Sequence, residues 1–343
     1  MSRRLDWTTD GADWPNRQHS RFVQAGGLNW HVQIIGEPEQ GEGAAPKPVA
    51  LLLHGTGAST HSWRDLAPLL ARHFTVVMPD LPGHGFSSDG GFGTLSLPGM
   101  SEALSALLHE LGLSPALGVG HSAGAAVLLR MAIDGQIAPE LIVSINGALQ
   151  PFPGLAGQIF APIARLLVLW PMVPNLFAWR ASDPNVVDDL LRRTGSRLDP
   201  EGVAQYRRLA SNPAHVGAAL GMMASWDLPG LKRDLGRVPC RVLLIAGALD
   251  EMVPPSDAVT SLSEIPGSRA IRLKGLGHLA HEEQPGLFAS LIEDAFAGRE
   301  LRLGPVVGRE LYNTAGSPAA RLQPAAQKTT ARHPAAGQAG RQS

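Results

Sequence analysis

The 343-residue sequence holds a single cysteine, Cys240. One thiol cannot close a disulfide within the chain, so the fold rests on noncovalent packing and suits a reducing compartment. A charge excess is also missing. Lys plus Arg number 29 against 30 Asp plus Glu, a net charge of −1, and nothing in that balance points to nucleic acid or to an acidic partner. No apolar stretch runs unbroken for the length of a membrane span. Residues 155–173 come nearest, but Pro162 and Pro171 break them and Gln158 and Arg165 lie among them. The start has no apolar core: Met1-Ser-Arg-Arg4 leads into Leu5-Asp-Trp-Thr-Thr-Asp10, so no secretory signal peptide is expected and the location expected is cytoplasmic. Residues 314–343 contain no Asp or Glu and are dominated by Ala, Gly, Gln, Pro, Thr, Ser and Arg, a composition that cannot bury a core.

The rest of the chain is arranged around Leu117-Gly-Val-Gly-His-Ser-Ala-Gly124. A short apolar strand enters Gly120-His-Ser-Ala-Gly124, and a helical run follows from Ala125 to Asp134, stopped by Gly135. Strand, G-x-S-x-G, helix is the setting of a nucleophile elbow. The turn is so tight that side chains at Gly120 and Gly124 would meet backbone, and Ser122 must take a strained conformation that lifts its hydroxyl above the sheet. The Ala123 N–H and the helix start then aim at the point where an oxyanion would form. A plain Gly/Ser turn is the bland alternative; the flanking strand and helix favour the elbow.

Around this stretch strands and helices alternate. A polar, tryptophan-bearing arm with Trp7 and Trp14 precedes a hairpin of 21–24 and 28–35 turned at Ala25-Gly-Gly27. Val49–Leu53 is a continuous apolar run, as a buried parallel strand requires, and it ends in His54-Gly-Thr-Gly57. Strands are predicted at 74–78, 117–119, 141–145, 241–245 and 270–273, and helices at 97–111 and 285–297. This pattern predicts an α/β fold, a parallel sheet with helices on both faces. From Gln150 to Gly236 the alternation stops, and Pro-punctuated, aromatic sequence predicts a helical cap over the carboxyl ends of the strands. The expected layout is residues 1–149 for the arm and first part of the core, 150–236 for the cap, 237–297 for the second part of the core, and 298–343 for a disordered tail.

A serine hydroxyl needs a base beside it, and the base needs an orienting acid. Asp250 follows one predicted strand and His278 the next, so both fall on the same sheet edge as Ser122. The chain order Ser, Asp, His belongs to one fold family. Glu251 is the rival acid and His281 the rival base; Gly277 beside His278 suits a projecting loop and favours His278. His278-x-x-His281 with Glu282-Glu283 lacks zinc spacing and a third ligand, so no metal and no cofactor are expected.

Five motifs in order, His54-Gly-Thr-Gly57, Asp80-Leu-Pro-Gly-His-Gly-Phe-Ser87, Gly120-His-Ser-Ala-Gly124, Gly247-Ala-Leu-Asp250 and Gly277-His-Leu279, resemble the α/β-hydrolase superfamily over residues 21–297. The resemblance implies an eight-stranded, mostly parallel sheet with a cap. It makes Ser122 the nucleophile, His278 the base and Asp250 its orienter, with an oxyanion hole from the N–H groups of Thr56 and Ala123. A serine at the nucleophile argues against the haloalkane dehalogenase and epoxide hydrolase chemistries, which use aspartate there. A closer resemblance rests on Asp10-Gly-Ala-Asp-Trp-Pro-Asn-Arg17, Leu28-Asn-Trp-His-Val-Gln33, His54 to Trp63, Ser144-Ile-Asn-Gly-Ala148 and Met222-Met-Ala-Ser-Trp-Asp227. These are similar to the magnesium chelatase accessory protein family of bacteriochlorophyll biosynthesis. That family implies a phototrophic bacterium, a role near Mg²⁺ insertion into protoporphyrin and a place at, at most, the periphery of the photosynthetic membrane.

Two functions follow as expectations. One is an esterase-like serine hydrolase acting on an apolar substrate such as a tetrapyrrole side-chain ester or a lipid. The other is a non-catalytic accessory protein that holds a porphyrin or touches the magnesium chelatase. The complete triad favours the first. Phe160, Trp170, Phe177 and Trp179 are the candidate substrate-binding residues of the cap, with Arg165 or Arg180 available to a carboxylate; cap core is the alternative role for the aromatics.

Overall fold

The protein is described from a computed structural model, which covers residues 4–37, 46–151, 170, 172–301 and 309–313. Its strands are β1 (Ser20–Ala25), β2 (Leu28–Ile35), β3 (Val49–Leu53), β4 (Thr75–Pro79), β5 (Pro115–His121), β6 (Leu141–Ile145), β7 (Arg241–Gly247), β8 (Arg269–Leu273) and β9 (Arg309–Asn313). The helices among the described residues are α1 (Leu66–Leu70), α2 (Leu97–Leu111), α3 (Ala123–Ile133), α4 (Met172–Arg180), α5 (Pro184–Arg192), α6 (Pro200–Ala210), α7 (Pro213–Ser225), α8 (Leu228–Asp234), α9 (Ser256–Glu264), α10 (Ala280–Glu283) and α11 (Pro285–Phe296).

The strands join in one sheet of order β1-β2-β4-β3-β5-β6-β7-β8-β9. The six from β4 to β8 run parallel, while β1, β2 and β9 are antiparallel to their neighbours. Side chains alternate between faces along a strand, which explains the unbroken apolar runs. Leu51, Leu53, Val77, Val242 and Leu244 enter the core beneath α2, α3 and α8. Ala50, Leu52, Val76, Met78, Leu243 and Ile245 enter the core beneath α1 and α11. After β3 the chain moves to β4 on one side and later to β5 on the other, so the loops leaving β3 and β5 face each other at the carboxyl edge, where ligands bind in open α/β sheets.

Between β6 and β7 the described residues form five helices, α4 to α8. Three prolines of this segment mark helix starts. Asp183-Pro184, Asp199-Pro200 and Asn212-Pro213 each place a capping side chain just before a proline at the first helical position. The Asp199 carboxylate accepts from Gly202 N–H, and the Asn212 amide oxygen accepts from Ala214 and His215 N–H. The N-terminal arm packs where cap and core meet. Buried Trp14 donates its indole N–H to Thr60 Oγ1 at 3.0 Å, and Asp13 pairs with Arg208 of α6.

Beyond the eight strands expected, the described residues add a ninth at the edge of β8. Leu301 is 3% exposed, and Arg309–Asn313 pairs antiparallel with β8, Leu311 opposite Ile271. The physical reason is the open edge of β8, whose free N–H and C=O groups accept another strand. Removing residues 299–343 deletes β9 and Leu301. Burial of one leucine contributes roughly 1.5–3 kcal/mol. The truncated protein is expected to melt several degrees lower than the full chain in a thermal scan; an unchanged Tm would show that the added strand stabilises nothing.

Candidate active site

Ser122 sits between β5 and α3 at φ 50° and ψ −116°, a conformation that costs about 1–3 kcal/mol and persists only where the surroundings impose it. The surroundings are backbone. A β-carbon on Gly120 would lie 2.5 Å from Ala125 N, and one on Gly124 would lie 2.7 Å from His54 O and closer still to Leu53 O. Both glycines are therefore required by contact, and α3 begins directly against the end of β3. Ser122 N–H donates to Ile145 O at 3.0 Å and Ser122 C=O accepts from Ala148 N–H at 3.1 Å, which ties the elbow to β6.

Asp250 follows β7 and His278 follows β8. His278 Nδ1 lies 2.7 Å from Asp250 Oδ2, and Asp250 Oδ1 accepts from the N–H groups of Met252 and Val253, each at 2.8 Å. A carboxylate only accepts, so Nδ1 carries the hydrogen and Nε2 keeps its lone pair free for a proton. The rivals separate on the same ground. Glu251 is exposed. His281 is fully buried with Nε2 2.9 Å from Ser62 Oγ, whose single hydrogen goes to Glu282 Oε1 at 2.7 Å. His281 Nε2 must then donate. Burial, followed by the neighbouring His278 and Arg64, pushes its pKa down to about 3. His281 belongs to a buried polar cluster that ties cap to core, in which Glu282 also accepts from Tyr206 of α6 at 2.7 Å and from Arg64 at 2.8 Å.

Thr56 and Ala123 lie at the ends of β3 and β5, which pair Leu53 with Gly120. Ala123 opens α3, and the first N–H groups of a helix lack partners within it. The Thr56 loop is braced from above by α7. Thr56 Oγ1 is 3.3 Å from Met222 Sδ, and His215 spans two loops: its Nδ1 accepts from Gly85 N–H at 3.0 Å and its Nε2–H donates to Gly57 O at 3.1 Å. From below, His54 donates through Nδ1 to Gly55 O and accepts Leu81 N–H at Nε2.

The cap also grips the base. His278 N–H donates to Thr194 O at 2.8 Å, and Leu279 N–H donates to Ser196 Oγ at 2.8 Å. A β-carbon on Gly277 would lie 2.5 Å from Ser196 N, so backbone meets backbone here. Thr194, Ser196 and His215 carry no sequence signal of their own, because their partners lie far along the chain, and Asn146 stands in a motif of the closer resemblance that says nothing of its partners. The cap aromatics take no part in the hydrogen bonds just described. Phe160 and Arg165 lie outside the described residues. Trp170, Phe177 and Trp179 are 63%, 54% and 70% exposed, on or beside α4, and Arg180 is exposed at its end. No group of His, Cys, Asp and Glu side chains among the described residues is arranged to hold a metal ion.

His215 yields a pH dependence. Burial pushes its pKa from an ordinary value near 6.5 down to about 4, so the fold favours the neutral ring, and protonation would cancel the bond from Gly85 N–H. The unfolded chain takes up the proton first. The stability owed to the neutral ring is therefore complete above about pH 6.5 and is lost as pH falls towards about pH 4. Between about pH 7 and about pH 5 the wild type is expected to lose roughly 2 kcal/mol more unfolding free energy than His215→Gln, measured by urea denaturation. Equal losses would show that His215 is not the titrating group.

Comparison with known proteins follows the same lines. The Alpha/beta hydrolase family profile matches residues 50–291. The chain is 37% identical over 287 residues to the Magnesium-chelatase 30 kDa subunit of Rhodobacter capsulatus, covering 84% of this chain and 98% of that protein. It is 26% identical over 253 residues to the pimeloyl-[acyl-carrier protein] methyl ester esterase of Aeromonas hydrophila, covering 72% of this chain and 94% of that one. Among solved structures, an alpha/beta hydrolase fold protein from Burkholderia ambifaria superposes with a TM-score of 0.66 at 22% identity, over 86% of this chain and 100% of that one. With Ser122 between β5 and α3, Asp250 after β7, His278 after β8, and a family profile spanning most of the sheet, the chain belongs to the α/β-hydrolase family.

Proposed function

We propose that the protein is an esterase-like serine hydrolase acting on an apolar ester through Ser122, His278 and Asp250. The observation that carries this reading is the 2.7 Å Asp250–His278 bond on the sheet edge that holds the strained Ser122. In this mechanism Ser122 Oγ attacks the ester carbonyl carbon while His278 Nε2 takes its proton. Asp250 keeps Nδ1–H in place and stabilises the imidazolium. The carbonyl electron pair moves onto oxygen, which the Ala123 and Thr56 N–H groups receive. Collapse breaks the bond to the alcohol, which leaves with the proton from Nε2. Water, activated by the same nitrogen, then cleaves the acyl-enzyme and restores Ser122.

Support for an ester comes from the relative named as a methyl ester esterase. Support for an apolar substrate comes from the cap, where Trp170, Phe177 and Trp179 stay exposed and Arg180 lies beside them for a carboxylate. A tetrapyrrole side-chain ester or a lipid fits that description. These exposed aromatics suit contact at the surface of the photosynthetic membrane; no helix among the described residues is long and apolar enough to cross one.

A second reading has its own support. The 37% identical relative is named as a magnesium chelatase subunit, so the protein would associate with the chelatase or hold a porphyrin without breaking a bond. Turnover of a p-nitrophenyl ester distinguishes the two. Ser122→Ala and His278→Ala are each expected to lower kcat at least about 10³-fold, and the double variant to be little worse, since triad members act as a unit. His281→Ala is expected to lose stability more than turnover. An inactive wild type that still quenches its tryptophan fluorescence on titration with protoporphyrin would favour the binding reading.

A further inference from the structure

The chain leaves β6 at Asn146, which has φ 46° and is 3% exposed. Asparagine tolerates this left-handed conformation better than most residues. Its backbone N–H donates to Ile245 O on β7 at 2.7 Å. Its side chain makes three of the four hydrogen bonds open to an amide. Oδ1 accepts from Gly247 N–H at 2.6 Å, and Nδ2 donates to Gly277 O at 2.9 Å and to His278 O at 2.6 Å. The orientation of the amide is forced, with two carbonyls on one side and an N–H on the other.

Those partners are the roots of the two loops that matter. Gly247 begins the turn that presents the acid, since its carbonyl accepts Asp250 N–H at 3.2 Å. Gly277 and His278 form the loop of the base. The loops touch through backbone: a β-carbon on Gly247 would lie 2.6 Å from Leu276 O. Two segments at such close approach have no side chains between them to set their spacing. Asn146 bridges them from beneath. His278 is then held at three points: its N–H by Thr194, its carbonyl by Asn146 and by His121 Nε2, and its ring by Asp250.

We infer that Asn146 is a positioning residue: its amide sets the spacing of the Asp250 and His278 loops and thereby fixes the orientation of the His278 ring. This rests on the hydrolase reading for its consequence in catalysis, but not for its geometry. Loss of the amide frees the His278 peptide to rotate, and the ring leaves its best alignment with Asp250. A buried amide that merely fills space would change stability and leave the ring unaffected.

The test uses two variants of the full chain, checked for folding by circular dichroism. Asn146→Gly removes the side chain while tolerating the positive φ. Asn146→Asp keeps an acceptor for Gly247 N–H and removes both donors. The first measurement is nitrogen-15 NMR of the histidines, with the His278 signals assigned by comparison with His278→Gln. In both variants the hydrogen-bonded Nδ1–H signal of His278 is expected to broaden or vanish. The second is turnover of a p-nitrophenyl ester, where kcat is expected to fall at least about tenfold with KM changed less than about twofold. Folded variants that keep the wild-type Nδ1–H signal would overturn the inference. So would Asn146→Asp matching the wild type, because the two donated bonds would then not hold the ring. A wild type without turnover would remove the hydrolase reading alone, and the NMR comparison would still decide the role of Asn146.

Discussion

The candidate site depends first on how closely α3 approaches β3 and β5. The helix starts within backbone contact of Leu53, His54 and the end of β5, and this approach is possible only because positions 120 and 124 have no β-carbon. Ser122 is left with φ 50° as the only way to connect strand to helix. The strain is local, of order 1–3 kcal/mol, and is offset by the packing of the helix on the sheet, where Ala125, Ala126, Val127, Leu128 and Leu129 are all fully buried. The constraint that places the serine is thus the same one that fixes the start of α3.

A second constraint comes from above. The cap is a bracing element as well as a cover. Thr194 and Ser196 hold the loop of His278, while Met222 and His215 hold the loop of Thr56. Together with Asn146 below, these contacts leave His278 and the Thr56 loop few ways to move independently. Most of them are hydrogen bonds from buried groups, whose loss costs about 1–3 kcal/mol each because the abandoned partner stays buried.

The framework was largely legible in the sequence. Continuous apolar runs marked β3 and β6, and leucines at helical spacing marked α2, because burial on both faces of a sheet or along one helix face leaves a local pattern. The glycines around Ser122, Asp250 and His278 were legible for a related reason: close backbone approach admits no other residue. Thr194, Ser196 and His215 were not, since each acts on a partner distant in the chain and nothing local distinguishes it from an ordinary polar residue; Asn146 stood in a motif of the closer resemblance, but its contacts were hidden for the same reason. The strand Arg309–Asn313 was hidden because its pairing is decided by the open edge of β8, while the composition around it speaks for disorder. In the cap, Pro184, Pro200 and Pro213 start helices, each after a capping side chain.

The account stands on one chemical claim, that Ser122 is a nucleophile activated by His278. Mass spectrometry after treatment with a fluorophosphonate tests it most directly, because the reagent is attacked by an activated serine whatever the natural substrate. The account predicts one adduct per chain, mapped to Ser122, formed in the native protein and absent after unfolding or in His278→Ala. An untouched Ser122 in the folded wild type, or equal labelling of Ser122 with and without His278, would contradict it.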